Sequence, residues 1–388
     1  MEDRIIRLTY SEKAIRLHRL YKGKISMTPK ISLDTMEDLS LVYSPGVAAV
    51  SMAIAKDVNE SYKLTNRANT VAVISDGSAV LGLGNIGPEA AMPVMEGKAV
   101  LFKKFAGIDA IPICLNTQDK DAIVDIITNL APSFGGVNLE DIAAPKCFEI
   151  EERLQHIGIP VFHDDQHGTA IVVLAGLING LNLVGKDPNA VKVVISGVGA
   201  AGIATAKLLK TYGVSDVVMV DSKGIVCKQR PDLNKVKQDI LKITNSQSLQ
   251  GDLADALKEA DVFIGVSAPN IVTEEIIQSM GTKPIVFVLS NPDPEILPEL
   301  AIKAGAAIIA TGRSDYPNQI NNCLVFPGIF RGALDVRCPK ITVEMKIAVA
   351  HALAELVVEP SADFIIPNSF DPSVVLAVSK AITSVFNN

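Results

Sequence analysis

From residue 70 onward, short apolar runs alternate with stretches of helical spacing. Thr70 to Ser75, Ala110 to Leu115 and the run leading to Glu140 have the length of buried strands, while Pro88 to Phe105 and Lys120 to Leu130 repeat their apolar residues at helical intervals. The alternation resumes at Val191, with apolar runs at Val191 to Ser196, Val217 to Val220, Val262 to Val266, Ile285 to Leu289 and Ala307 to Ala310. Strands and helices taking turns in this way predict an α/β fold of parallel sheets covered by helices. Ahead of the first strand, residues 11 to 23 are helical through Ala14, Ile15, Leu17, Leu20 and Tyr21 and stop at Gly23. Tyr43-Ser-Pro-Gly46 then interrupts regular structure before a second helix, Val47 to Lys56. A long apolar helix, Thr169 to Val184, divides the two series and places a domain boundary near Val161.

Composition narrows the class. With 388 residues, 48% of them hydrophobic, the chain has material for two domains. The net charge of -7 and the scattered Lys and Arg residues argue against a nucleic-acid partner. Thr169 to Val184 is interrupted by Asn179 and Asn182 and is shorter than the roughly 20 residues that span a bilayer, so it reads as a buried helix and no membrane partner is expected. The charges in Met1-Glu-Asp-Arg-Ile-Ile-Arg7 are unlike a secretory signal. Five cysteines (Cys114, Cys147, Cys227, Cys323, Cys338), an odd number without C-x-x-C spacing, suggest reduced thiols and a cytoplasmic protein.

The pattern G-x-G-x-x-G occurs twice, at Gly82-Leu-Gly84-Asn-Ile-Gly87 and at Gly197-Val-Gly199-Ala-Ala-Gly202. At the second copy a strand runs straight into Gly197, a helix (Ile203 to Tyr212) follows Gly202, and Asp221 ends the next strand. That context suits a dinucleotide: Gly197, Gly199, Ala200, Ala201 and Gly202 would bring backbone close to the pyrophosphate, and Asp221 would accept from the ribose hydroxyls. An acid there repels a 2′-phosphate, which favours NAD over NADP, although Lys223 offsets part of that repulsion. At Gly82 the loop is separated from its strand, and Asp109 precedes a strand instead of ending one. The first copy reads as a tight turn or as a loop cradling a substrate carboxylate. Residues 162–388 are thus a Rossmann-like dinucleotide-binding domain with a helical tail, and residues 1–161 an α/β domain for substrate and metal.

Two acid pairs, Glu140-Asp141 and Asp164-Asp165, close the apolar stretches Gly135 to Leu139 and Ile157 to Phe162. Ligands of open α/β sheets collect at the carboxyl ends of strands, so both pairs would face the cofactor crevice, where hard oxygen ligands suit Mg²⁺ or Mn²⁺. His163 and His167 flank the second pair. With no cysteine nearby, they read as supports or packing residues and not as zinc ligands.

Taken in order, Tyr43-Ser-Pro-Gly-Val-Ala48, Ser75-Asp-Gly-Ser-Ala-Val-Leu-Gly-Leu-Gly-Asn-Ile-Gly87, Glu96-Gly-Lys-Ala99, Asn138-Leu-Glu-Asp-Ile142, Phe162-His-Asp-Asp-Gln-His-Gly-Thr-Ala170, Ser290-Asn-Pro292, Thr311-Gly-Arg313 and Asn321-Asn-Cys-Leu-Val-Phe-Pro-Gly328 resemble the malic enzymes of the short bacterial and archaeal type. The resemblance covers nearly the whole chain. It implies oxidative decarboxylation of (S)-malate to pyruvate and CO₂ with NAD or NADP, action on oxaloacetate as well, and a homodimer. It further implies Glu140, Asp141 and Asp165 as ligands of Mg²⁺ or Mn²⁺, Lys98 as general base oriented by Asp164, and Tyr43 as general acid. Asn291 and Asn321 would contact malate, and Asn291 the cofactor too. One departure stands out: larger malic enzymes carry an arginine after Asp-Gly in the first glycine loop, where this chain has Asp76-Gly-Ser-Ala79. Backbone N–H groups of that loop and the two asparagines are the remaining candidates for the carboxylate clamp. The N-terminal helix, Glu12 to Tyr21, carries enough apolar surface to pack against a partner chain. Three other classes compete: a metal-free dehydrogenase of the amino-acid type, a non-catalytic dinucleotide sensor, and a structural protein that binds no cofactor.

Overall fold

The computed structural model describes residues 9–80 and 82–387. The charged stretch Met1 to Arg7 and Leu81 of the first glycine loop lie outside the described residues.

Helices α1 (Tyr10–Tyr21), α2 (Met36–Val42), α3 (Val47–Lys56) and the short α4 (Ser61–Leu64) come first. Capping boxes start α1 and α2: Thr9 exchanges hydrogen bonds with Glu12, and Thr35 with Asp38. Good caps do not imply burial. None of the residues of α1, α2 or α3 is buried, and Tyr10, Leu20, Met36, Leu41 and Met52 are all more than two-thirds exposed.

The first sheet is built from β1 (Thr70–Ser75), β2 (Asp109–Cys114), β3 (Gly136–Leu139) and β4 (Val161–His163), all parallel, in the order β2-β1-β3-β4. Helices α5 (Pro88–Ala106), α6 (Lys120–Leu130) and α7 (Lys146–Leu154) make its crossovers. Central β1 is apolar on both faces, as a strand covered by helices must be, and Val71 to Ile74 have no exposed surface. Helix α8 (Asp164–Val184) continues from β4 without a loop. It begins at Asp164, not at Thr169 as periodicity suggests, because its first turn carries polar side chains that serve the site and hide the apolar repeat.

The second sheet contains β5 (Lys192–Ser196), β6 (Asp216–Asp221), β7 (Gly224–Ile225), β8 (Val262–Gly265), β9 (Ile285–Val288) and β10 (Ile308–Thr311), in the order β10-β9-β8-β5-β6-β7. All pairs are parallel except the two-residue edge strand β7, which runs against β6 and is too short to show in the sequence pattern. Helices α9 (Ala200–Tyr212), α10 (Lys235–Ile240), α11 (Leu253–Leu257), α12 (Glu274–Gln278) and α13 (Pro298–Lys303) lie between these strands; α14 (Phe326–Asp335), α15 (Val343–Glu355) and α16 (Pro372–Asn387) follow. Strand β5 pairs with both β6 and β8, so Gly197 at its carboxyl end stands where the connections change direction, the usual ligand crevice of such sheets.

One continuous core joins the domains. Phe326 and Phe330 of α14 pack on Phe102 of α5 with ring centroids 4.7 and 5.4 Å apart, and Phe330 also meets Phe162 of β4 at 6.1 Å. Two stretches are long and apolar enough to cross a membrane by composition, 36–56 and 164–184. The second is α8, a core helix. The first is broken at Tyr43 to Gly46 into α2 and α3.

Candidate active site

A cleft of about 910 Å³ opens between the domains, lined from one side by Lys98, Glu140, Asp141 and Asp165 and from the other by Gly199, Ala200, Ala201, Asn291 and Asn321. Glu140 and Asp141 follow β3, Asp164 and Asp165 open α8, and Lys98 projects from the middle of α5. Adjacent parallel strands deliver both acid pairs to the same edge.

Lys98 Nζ lies 2.5 Å from Asp164 Oδ2 and 2.9 Å from Glu140 Oε1. Its ammonium also sits over the Phe326 ring, 4.5 Å from the centroid. The other oxygen of Glu140 accepts from Asn138 Nδ2 at 2.9 Å. Burial by itself would lower the Lys98 pKa, but attraction to Asp164, Glu140 and Asp165 outweighs it and holds the amine firmly protonated. Burial, against the pull of Lys98, pushes Glu140 and Asp164 up to about 7 and Asp165 up to about 6. The carboxylates therefore outnumber the one cation available to them. Oxygens of Glu140, Asp141 and Asp165 all lie within 4.8 Å of one another. Acids crowded this closely, and already raised toward neutrality, fit the oxygen-rich shell of a hard divalent cation.

Asp165 is tied to the chain just past β3. Its Oδ2 accepts from the backbone N–H of Asp141 at 2.8 Å, and His163 Nδ1 stands 3.8 Å away. His163 is fully buried, which lowers its pKa and keeps the ring neutral. Behind it, buried Glu151 accepts from the His163 backbone N–H at 3.2 Å, from Gln166 Nε2 at 3.1 Å and pairs with His167 Nε2 at 2.9 Å. Both histidines support the site from behind and neither belongs to the oxygen cluster.

The first glycine loop is tied to the acids. Ser78, which stands where the larger enzymes carry arginine, donates from Oγ to Asp76 Oδ1 at 2.6 Å and accepts from the Ala143 N–H at 2.9 Å, while the Ala79 N–H donates to Asp141 O at 3.0 Å. Asp76 pairs with Lys146 at 2.5 Å. Ala79 and Gly82 line the cleft, and Asp109 is engaged elsewhere by Lys103 at 2.7 Å. Lys24, which sequence reading passed over, also lines the cleft, with Nζ donating to Pro93 O at 2.6 Å.

On the cofactor side, α9 begins at Ala200, so the helix N-terminus sits inside the glycine motif and not after it. Gly197 (φ +117°) approaches β8 so closely that a Cβ would lie 2.5 Å from Val266 O, and a Cβ on Gly202 would lie 1.9 Å from Gly197 O. A Cβ on Gly199 would meet nothing within 4 Å, leaving open space at the helix N-terminus for a phosphate. Asp221 ends β6 as expected, but its carboxylate is already engaged: Arg230 grips both oxygens at 2.8 and 2.9 Å, and Lys237 Nζ lies 2.6 Å from Oδ2. Its repulsion of a 2′-phosphate is thereby offset by two cations. Asn291 Nδ2 donates to Leu289 O at 3.2 Å, and Asn321 Oδ1 accepts from the Cys323 N–H at 3.0 Å.

Tyr43 is not brought to the cleft. It lies on the turn between α2 and α3 with its side chain 69% exposed, and it is absent from the lining. Sequence reading also missed Asn138, Glu151 and Phe326. Asn138, a polar residue in an apolar strand, and Glu151, an acid on the apolar face of α7 beside Ile150 and Leu154, carried a signal. Phe326 carried none.

Family models match the chain twice: "Malic enzyme, N-terminal domain" over residues 22–155 and "Malic enzyme, NAD binding domain" over residues 166–382. A bifunctional malic/malolactic enzyme of Bacillus subtilis is 57% identical, covering 97% of this chain and 92% of its own. An NADP-dependent malic enzyme of Haemophilus influenzae is 50% identical over 93% of this chain and 50% of its own length. The crystal structure of an NAD-dependent malic enzyme from Thermotoga maritima superposes with a TM-score of 0.93 at 53% identity, over 95% of this chain and 98% of that one.

Proposed function

This chain belongs to the malic enzyme family, and we propose that its cleft converts (S)-malate to pyruvate and CO₂ with reduction of NAD or NADP, and also decarboxylates oxaloacetate. The observation that carries this reading is Lys98, gripped by Asp164 and Glu140 beside a three-carboxylate cluster and facing the Gly199 to Ala201 turn across one cleft. A metal-free dehydrogenase or a dinucleotide sensor has no use for that cluster.

Glu140, Asp141 and Asp165 would hold Mg²⁺ or Mn²⁺, which supplies Lewis acidity at the C2 oxygen of malate and neutralises acids that keep Lys98 protonated. With that charge compensated, Lys98 takes the proton of the malate hydroxyl, and Asp164 holds the resulting ammonium at 2.5 Å. Asn291 and Asn321 offer neutral amides to the substrate carboxylates, and Gly199, Ala200 and Ala201 present backbone N–H groups to the pyrophosphate. The family resemblance would make Tyr43 the proton donor for the enolate carbon after CO₂ departs, but its place on the exposed turn between α2 and α3 keeps it out of this chain's own cleft. Homodimers are supported by the exposed apolar surface of α1 to α3, and a cytoplasmic setting by cysteines that are all free.

The test supplies malate, Mn²⁺ and each nicotinamide cofactor while following cofactor reduction, pyruvate and lactate. Reduction that stops on EDTA treatment and returns with Mn²⁺ is expected. Asp165→Ala should abolish turnover and weaken Mn²⁺ binding while leaving NAD binding intact. Near-normal malate oxidation by that variant would sink the assignment.

A further inference from the structure

We propose that a second cavity, at the domain seam, binds one small organic monocarboxylate per chain, with its carboxylate on Lys346 and its hydrocarbon body on the apolar wall, and that this ligand regulates the cleft. The ligand is an effector and is not consumed. Its regulatory role, unlike its binding, rests on the malic enzyme reading above.

The cavity, of about 700 Å³, shares no lining residue with the cleft. Helix α7 and β4 line it from the first domain, and α9 and the start of α15 from the second. Its walls are largely apolar, with Phe162, Ile203, Leu208 and Ile341 all buried. That size and lining, with a few convergent polar groups, is what a small-molecule site requires.

Three lysines line the cavity, and their ammonium groups have no hydrogen-bond or ion-pair partner among the described residues. Lys207 and Lys340 are exposed, and draw anions toward the opening. Lys346 is half-buried, and its ammonium loses enough water that its pKa falls to about 8. The acids of the lining do not answer it. Glu151 is the buried one, and its oxygens already engage the His163 N–H, Gln166 and His167. Glu152 and Glu344 are exposed. An unpaired ammonium held away from water costs stability, and a carboxylate supplied from solution removes that cost. One inner cation suits one negative charge. A phosphate dianion would bring a second charge toward Glu151 with no inner cation to meet it, and an uncharged hydrocarbon would leave Lys346 unpaired.

The first turn of α8 is shared by cavity and cleft. Gln166 and His167 line the cavity, while Asp165 and Thr169 line the cleft. Glu151 ties the two together through His163, whose backbone N–H it accepts and whose ring stands 3.8 Å from Asp165. An anion on Lys346 adds negative charge behind the carboxylate cluster, so Glu140, Asp141 and Asp165 hold a divalent cation more tightly when the cavity is filled. Coupling of this kind is reciprocal, so the cation tightens the ligand by the same factor.

The experiment is calorimetry on the full chain with hexanoate as probe and no malate present. One site per chain is expected in the wild type. Lys346→Met removes the ammonium and keeps most of the stem; it should weaken hexanoate by about 30-fold or more and leave basal malate oxidation unchanged. Ala204→Leu, which intrudes on the cavity from α9, should likewise lose hexanoate, and it decides the matter if melting curves show Lys346→Met misfolded. Hexanoate binding that survives both variants overturns the site, as does inorganic phosphate or hexan-1-ol binding as tightly as hexanoate. For the coupling, Mn²⁺ is titrated without substrate. Saturating hexanoate should tighten Mn²⁺ by about fivefold, the low end of ordinary coupling between sites, and should do nothing in Lys346→Met. An unchanged Mn²⁺ affinity overturns the effector role. A wild type that binds hexanoate but is inert toward malate overturns the reading of the reaction and not the site.

Discussion

At the scale of single residues, Gly168 shows how little room the site leaves. It lies one helical turn beyond Asp164, and a Cβ there would stand 2.0 Å from Asp164 Oδ1. Gly168→Ala therefore pushes Asp164 off Lys98. A fall of about 10²-fold in kcat/KM, with unchanged far-UV circular dichroism, is expected; wild-type kinetics would show that Asp164 does not position the lysine. Lys346 gives a second test. It lines a separate cavity of about 700 Å³ at the domain seam with Glu151, His167 and Lys207, and burial pushes its ammonium down to about 8. Below that pH, folded and unfolded chains both carry the charge and the fold bears the whole cost of burying it. Between about pH 8 and the unfolded lysine value near 10.4, the folded chain binds fewer protons and gains stability. Lys346→Met should thus melt higher than wild type at pH 7, by a margin that shrinks toward pH 10. A margin independent of pH would refute the depressed pKa. Charged residues at strand ends were legible in sequence because adjacent acids closing apolar runs are a local pattern. Phe326 beneath Lys98 was not, because α14 meets α5 only through the fold.

At the scale of elements, the turn after β6 bears on the choice of cofactor. Asp221 is pinned by Arg230 and Lys237, so its charge reaches a 2′-phosphate already compensated. NAD should therefore keep only a modest advantage in kcat/KM, of about tenfold or less, measured by initial rates with each cofactor. Arg230→Met leaves the carboxylate with one cation fewer and should enlarge that advantage mainly by raising KM for NADP. An unchanged NAD to NADP ratio would remove Asp221 from cofactor selection. The sequence placed Asp221 at a strand end because apolar runs mark strands within a residue or so. It was silent about Arg230, which reaches back from beyond the edge strand β7. Helix starts were less legible than strands: α8 and α9 both begin in residues chosen for the site, Asp164 and Ala200, where the apolar repeat has not yet begun.

At the scale of the whole molecule, two α/β domains were readable from alternating periodicity, whereas the shared core that welds them through α14 and α8 depends on contacts distant in sequence. Light scattering at micromolar concentration should give the mass of two chains; a monomer would leave the faces of α1 to α3 without an explanation. The direct passage of β4 into α8 also governs how the cleft can open. A helix of 21 residues, about 31 Å long, bends only by giving up backbone hydrogen bonds, so the joint between the domains is an axle and not a flexible tether. Points on an axle hardly travel when the bodies swing, while points on the rim travel furthest. Asp165 sits at the axle's end, hydrogen-bonded to the Asp141 backbone, and the Gly199 turn lies across the opening. Breathing of the cleft would release nucleotide and leave the carboxylates gathered, so that bound Mn²⁺ outlasts many cofactor exchanges and leaves to a chelator, in stopped flow, far more slowly than reduced nicotinamide leaves to solvent.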